Sequence, residues 1–262
     1  MGGKILEISE KGLLSFDTKY IYHYNKTIQM SRRFESTKDW ISKEELLRTA
    51  IENFQKNNKK NEKIAQQEIM LKNNNAEDAE WFLVDMEYSV SGNPYGRFDM
   101  IGITKKPDTN GKHRIALIEL KTGTNAFGGA NANTYGSGIA GHINNFYEFL
   151  YGEGGKGKDN VENLAKEIDC ILSNYKAVGI DIGELQLSFN DIDCLPEHVE
   201  CVIMCTGIQD KAYAASQVKK YLFNDEGASI YCLENKWGNS FRNKYRKLNV
   251  HLSITDKERV MR

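Results

Sequence analysis

Two carboxylates and a lysine lie beside two apolar segments that a turn-rich stretch separates. Asp99 precedes the apolar residues 100–103, and Glu119 and Lys121 follow the apolar residues 115–118. Side chains on a strand alternate between its two faces, so Glu119 and Lys121 share one face. Asp99 comes within reach if the strand register brings it opposite Glu119. Because converging carboxylates need a counter-charge, we expect a divalent metal or a lysine beside them.

The elements around these residues can be predicted from the same part of the chain. Residues 107–111 are rich in turn formers and predict a β-hairpin. The strand-like segment 81–90 precedes the hairpin, and Glu87 on it is a candidate third carboxylate. Helical spacing over residues 62–72 places Glu68 near the apolar face of a helix, although a solvated glutamate is the more common outcome.

Downstream of Lys121 we predict a glycine-rich loop and a helix over residues 139–150. His142 and Phe146 are four residues apart on that helix and so lie on one face, where His142 is a candidate catalytic residue. The next segment, 152–158, superficially matches a phosphate-binding loop. It follows a helix, and Asp159 replaces the required hydroxyl residue, so we interpret it as a linker.

Composition limits the class of protein. The chain has 262 residues, 40% of them hydrophobic, which is compatible with one large α/β domain. We assign residues 41–235 to this domain, 1–40 to a small N-terminal β-hairpin or meander, and 236–262 to a C-terminal tail. The five cysteines are odd in number and lack close pairs, which favours reduced thiols and a cytoplasmic protein. No segment reaches the length of a membrane span.

The C-terminal tail is the main candidate for contact with a polyanion, because the net charge of the whole chain is only −1. Basic residues alternate there with aromatic ones, a pattern that suits binding to phosphates and stacking on bases. A solvated basic tail explains the pattern equally well. The candidate nucleic-acid-binding residues are Lys236, Arg242, Lys244, Arg246 and Lys247.

The order of the motifs resembles that of a known superfamily. The residues that match are Gly96 and Asp99, then Glu119 and Lys121, then the helix with His142 and Phe146. This order resembles the PD-(D/E)XK nucleases, and among them the RecB-like group. The resemblance implies a restriction-endonuclease-like α/β core, in which helices flank a central mixed sheet of at least four strands. His142 and Phe146 occupy the positions where that group often has Gln and Tyr.

The resemblance further implies metal-dependent hydrolysis of DNA phosphodiester bonds, in phage defence, restriction or repair. Asp99, Glu119 and the Leu120 carbonyl would bind Mg²⁺ or Mn²⁺, with Glu68 or Glu87 completing the set. Lys121 would orient the attacking water or stabilise the transition state. DNA is then the expected partner, alongside a homo-oligomer or protein partners in a defence or repair complex. The alternative is a catalytically silent module of the same fold that binds nucleic acid or a partner protein.

Overall fold

The structure, a computed structural model, describes residues 61–123, 139–152, 156–206 and 247–255, together with 6–8, 14–16, 33–34 and 48. The chain divides into two compact units, residues 1–61 and 62–262. In the first unit, β1 (Leu6–Ile8), β2 (Leu14–Phe16) and β3 (Arg33–Phe34) form an antiparallel sheet in that order. These strands lie within residues 1–40, the segment for which we predict a β-hairpin or meander.

The second unit alternates helices and strands around one sheet. Along the chain its elements are α1 (Asn61–Asn75), β4 (Trp81–Ser89), β5 (Arg97–Thr104), β6 (Ile115–Thr122), α2 (Ile139–Tyr151), α3 (Lys156–Ala177), β7 (Glu200–Thr206) and β8 (Asn249–Thr255). Two short 3₁₀ turns, Phe189–Asp191 and Pro196–His198, lead from α3 to β7. Among the helices described, none is both long and apolar enough to cross a membrane.

The sheet of the second unit is mixed and has five described strands in the order β4-β5-β6-β7-β8. β4, β5 and β6 are antiparallel, whereas β6, β7 and β8 run parallel. The predicted α/β class, with a mixed sheet of at least four strands flanked by helices, is confirmed. Residues 229–233, whose apolar character also favours a core strand, lie outside the described residues.

The fifth strand differs from the sequence prediction, since residues 249–255 were assigned to the basic tail. Val250, Leu252 and Ile254 alternate with polar residues in this segment, which is the two-residue period of a strand. The segment follows a run of basic residues, which favoured a solvated tail over a strand. β8 pairs with β7 along its whole length, from Glu200 opposite Asn249 to Thr206 opposite Thr255.

The sheet separates two apolar cores, and β6 contributes to both. Ile115 and Leu117 face the helices α2 and α3, whereas Ala116, Ile118 and Leu120 belong to the core beneath α1. A strand buried on both faces is apolar at successive positions, which explains the continuous run before Glu119. The polar residues at its end are therefore exceptions within a buried strand.

The predicted hairpin is confirmed, because β5 and β6 pair in antiparallel fashion around the turn. The Asp108 carboxylate accepts the backbone N–H groups of Asn110 and Lys112, at 2.8 and 3.0 Å. Gly111 has a φ of +76°, a left-handed conformation that costs glycine little. The turn thus fixes the register that aligns the ends of β5 and β6.

The segment predicted as a linker is partly helical, because α3 begins at Lys156. Gly157 packs so closely against the end of α2 that a Cβ atom there would lie 1.7 Å from the Leu150 carbonyl oxygen. The glycine is needed for close packing between two helices, so this part of the pattern has a structural explanation.

Candidate active site

The start of β5 and the end of β6 bring three of the candidate residues together. The paired residues run from Ile103 opposite Ile115 to Met100 opposite Ile118, so one further step sets Asp99 beside Glu119. Beyond the last pair, the Leu120 N–H donates a hydrogen bond of 2.7 Å to Asp99 Oδ2. The Asp99 side chain therefore joins the two strands at the point where their pairing ends.

Glu119 is the centre of a buried charged cluster. Lys121 Nζ lies 2.6 Å from Glu119 Oε1, and the two side chains are only 8% and 7% exposed. His142, in the first turns of α2, places its Nε2 atom 3.0 Å from the same oxygen and 3.1 Å from Lys121 Nζ. Thus α2 and the end of β6 each place a side chain beside the same oxygen of Glu119.

The two carboxylates have opposite electrostatic surroundings. Burial alone would raise the pKa of Glu119, but the hydrogen bonds and charges of His142 and Lys121 outweigh it and hold this pKa below its usual range. Burial and the negative charge of Glu119 raise the pKa of Asp99 to about 7, against smaller opposing effects of the Leu120 N–H and Lys121. Glu119 is therefore neutralised by its neighbours, whereas Asp99 lacks enough positive charge.

A third acid acts on this cluster from α1, and it is Glu62. Its negative charge contributes to the raised pKa of Asp99. Glu68, the acid favoured by the sequence, makes no hydrogen bond or ion pair with Asp99 or Glu119 among the described residues. Six residues turn a helix by roughly 240°, so Glu62 and Glu68 lie on different faces. An acid in the first turn of a predicted helix was the available signal, but it also suits the helix dipole.

Glu87 lies next to Asp99 in the sheet, but its side chain has another partner. Met86 pairs with Met100 and Tyr88 with Phe98, so the register sets Glu87 beside Asp99. The Glu87 carboxylate is 3.1 Å from Lys63 Nζ, and its backbone has a φ of +56°, which is uncommon for a residue with a side chain. This local turn of the backbone could not be predicted from the sequence.

The carboxylates at this site suit Mg²⁺ only if water and substrate oxygens provide the remaining ligands. Among the described residues, no group of three or more His, Cys, Asp or Glu side chains lies close enough to hold a metal. Mg²⁺ often uses one or two carboxylates and fills its other positions with water and substrate phosphate oxygens. The carboxylates of Asp99 and Glu119, with the Leu120 carbonyl, fit that mode of binding.

One of the five candidate nucleic-acid-binding residues belongs to the described part of the chain. Lys236, Arg242, Lys244 and Arg246 are outside the described residues. Lys247 is exposed, and its Nζ atom lies 5.7 Å from the centre of the Tyr151 ring. It comes just before β8, which begins opposite Glu200, the first residue of β7. Lys247 therefore lies at the end of the sheet opposite to Asp99 and Glu119.

Fold and site together define an α/β protein with an acid–lysine–histidine cluster at one end of a mixed sheet. Comparisons with models of protein families, with curated proteins and with solved structures found no match to this chain.

Proposed function

We propose that this protein is a metal-dependent nuclease that hydrolyses DNA phosphodiester bonds, in phage defence, restriction or repair. The observation that supports it most is the buried contact between Lys121 Nζ and Glu119 Oε1, 2.6 Å apart, beside Asp99. Ionisable groups with strongly shifted pKa values are frequent at functional sites, and the pKa of Asp99 is raised to about 7. The motif order that resembles PD-(D/E)XK nucleases supports the same class of reaction, and we propose that the mixed sheet and its helices form their restriction-endonuclease-like fold.

In this proposal Asp99, Glu119 and the Leu120 carbonyl hold Mg²⁺ or Mn²⁺. When bound, such an ion acidifies a water molecule and neutralises charge on the scissile phosphate. Lys121 provides a positive point charge that orients the attacking water or stabilises the transition state. Its ammonium group is already held in place by Glu119, so little reorganisation is needed when the substrate binds.

His142 restrains the cluster from the opposite side. Its Nε2 atom lies within hydrogen-bond range of both Glu119 Oε1 and Lys121 Nζ. Because the ring is held by α2, it limits the positions that the two strand residues adopt. We propose that His142 positions Lys121 and Glu119.

Cleavage by purified protein tests the proposal directly. With Mg²⁺ or Mn²⁺ we expect degradation or nicking of linear, circular or single-stranded DNA, and none in the presence of a chelator. Lys121→Ala should lower the rate at least about 100-fold, as expected for loss of a group that stabilises the transition state. Lys112→Ala, at the other end of the hairpin, is the matched control. Cleavage that survives Lys121→Ala would overturn the assignment.

One observation favours the second candidate, a silent module that binds nucleic acid or a partner protein. Lys121 and His142 already neutralise Glu119, and a satisfied charged cluster can be purely structural. Calorimetry with Mn²⁺ distinguishes the two candidates. A nuclease should bind Mn²⁺ in the wild type and lose this binding in Asp99→Asn and Glu119→Gln. Absence of any Mn²⁺ binding that depends on these two residues would favour the module.

A further inference from the structure

Gln66 is a buried polar residue for which the fold alone gives no explanation. Its side chain is 1% exposed, and its Nε2 atom has no hydrogen-bond partner among the described residues. Buried donors in native proteins are nearly always paired, since leaving one unpaired is destabilising. An amide in this state indicates a partner that the described part of the chain does not supply.

The position of Gln66 on α1 relates it to the candidate active site. α1 begins at the Asp99 end of the sheet, where Lys63 pairs with Glu87 and the charge of Glu62 acts on Asp99. Gln66 is one helical turn beyond Glu62, about 6 Å further along the axis.

The opposite end of α1 is anchored away from the site. There, Asn73 Nδ2 donates to the Trp81 carbonyl, at the start of β4. Side chains on a helix lean toward its N-terminus and cover the preceding turn. The Gln66 side chain therefore leaves the helix toward the Glu62 end rather than toward the Asn73 end.

Asp99 has a matching free acceptor. Its Oδ2 atom accepts the Leu120 N–H, and within the described part of the chain its Oδ1 atom receives no hydrogen bond. An unpaired donor on α1 and an unpaired acceptor at the start of β5 thus lie toward the same end of the sheet. A water molecule requires two to four polar partners, and Gln66, Asp99 and the nearby Glu62 carboxylate would provide them.

We propose that Gln66 is a positioning residue of the site, whose Nε2–H donates to a water molecule bound against the Asp99 carboxylate. This inference rests on the proposed function. The water would orient Asp99 so that it can bind the metal, in the way that outer hydrogen bonds orient metal-binding side chains. Because Gln66 is buried, an acceptor as small as water is the partner that fits.

Gln66→Met tests this inference, because Met has a similar volume and no donor. Calorimetry with Mn²⁺ alone should show affinity about 10- to 100-fold weaker than in the wild type. The melting temperature of the metal-free protein should stay the same or rise, since an unpaired donor is removed. DNA cleavage should fall at limiting Mn²⁺ and recover at saturating Mn²⁺, which a loss of folding would not produce.

Ile69→Met is the matched control, since it introduces Met at another buried position on the same helix. It should keep wild-type Mn²⁺ affinity. Should Gln66→Met fail to fold, Gln66→Leu repeats the test with a different shape.

Three results would overturn the inference. Wild-type Mn²⁺ affinity in the folded Gln66 variant would remove the proposed role while leaving the nuclease assignment intact. A fall in melting temperature with equal losses in both the Gln66 and Ile69 variants would indicate a packing role. Wild-type protein that neither binds Mn²⁺ nor cleaves DNA would overturn the proposed function, and this inference with it.

Discussion

The two ends of the central sheet each hold a charged cluster, but the clusters are balanced differently. At one end Lys121 and His142 contact the same oxygen of Glu119, and Asp99 lies on the neighbouring strand. At the other end, Arg114 lies just before β6 and contacts both Glu80 and Glu200. The two clusters are separated by the length of β6, roughly 20 Å at about 3.3 Å per residue.

The Arg114 cluster satisfies its charges. One guanidinium nitrogen is 2.7 Å from Glu80 Oε1, the other contacts Glu200, and the group lies 5.5 Å from the centre of the Trp81 ring. A guanidinium can serve two carboxylates at once because its donors point in fixed, divergent directions. This cluster ties the starts of β4, β6 and β7 together and has an evident structural purpose.

The Asp99 cluster is not balanced in this way. Its lysine and histidine both contact Glu119, whereas among the described residues Asp99 accepts a hydrogen bond only from the Leu120 N–H. A protein that needed the cluster only for stability would gain by replacing Asp99 with a neutral residue, since a carboxyl group short of positive charge is costly to bury. The comparison therefore supports the proposal that Asp99 has a functional role.

The sharpest test replaces the buried glutamate at each end. Glu119 and Glu200 are 5% and 9% exposed, and each contacts a cation. Glu119→Gln should lower DNA cleavage at least about 100-fold, because it removes a metal ligand and the partner of Lys121. Glu200→Gln should leave the rate per folded molecule unchanged. Cleavage assays on both variants, normalised to the folded fraction, check this. Equal losses at the two ends would refute the functional distinction.

Asp99→Asn sharpens the comparison through pH. The pKa of Asp99 is about 7 in the folded protein against an ordinary value of 3.8. Below about pH 4 the group is protonated in both states. As the pH rises toward 7 the unfolded chain releases the proton and the folded protein retains it, so the free energy of unfolding falls.

The asparagine variant should lose this pH-dependent destabilisation. Its stability relative to the wild type should therefore increase by about 2 kcal/mol between about pH 5 and about pH 7. Urea unfolding of the metal-free proteins at the two pH values measures it. Glu80→Gln, at the other end of the sheet, is the control and should show no such trend. Parallel pH profiles for Asp99→Asn and the wild type would contradict the raised pKa.

Arg114→Met tests the structural end of the sheet and should have a smaller effect. Loss of its two carboxylate contacts and the ring contact should lower the free energy of unfolding by about 1–2 kcal/mol, since the side chain is one-third exposed. The cleavage rate at saturating Mn²⁺ should not change. Urea unfolding and cleavage measured on the same preparation would show it. A loss of activity without a loss of stability would mean that the two ends are coupled.

The sequence was sufficient to predict the hairpin and the shared face of Glu119 and Lys121, because both depend on local patterns. The turn residues 107–111 separate two apolar runs, and a spacing of two residues on a strand needs no tertiary information. The sequence predicted only part of the five-stranded sheet. β8 is a short alternating segment within a charged stretch, and its pairing with β7 is set by a distant part of the chain.

Contacts in the site between residues that are far apart in sequence could not be predicted from the spacing of residues along the chain. Glu62 acts on Asp99 because of where α1 lies on the sheet, and a helical pattern does not give the side of a helix that meets a strand end. The partner of Glu87 depends on a left-handed backbone that no residue type indicates. The missing partner of Gln66 is visible only once burial is known.

Lys247→Ala gives the smallest expected effect and tests whether the Arg114 end contacts DNA. Lys247 lies beside the start of β8, so a substrate bound at Asp99 must extend along the sheet to reach it. We expect DNA affinity to fall less than about threefold and the salt slope to change by less than about one, the value of a single phosphate contact. Binding titrations at several salt concentrations measure both quantities. If Lys247→Ala lowers the salt slope of DNA binding by a full unit and leaves the cleavage rate unchanged, the DNA interface extends to this end of the sheet. The end that holds the Arg114 cluster would then have a binding role beside its structural one.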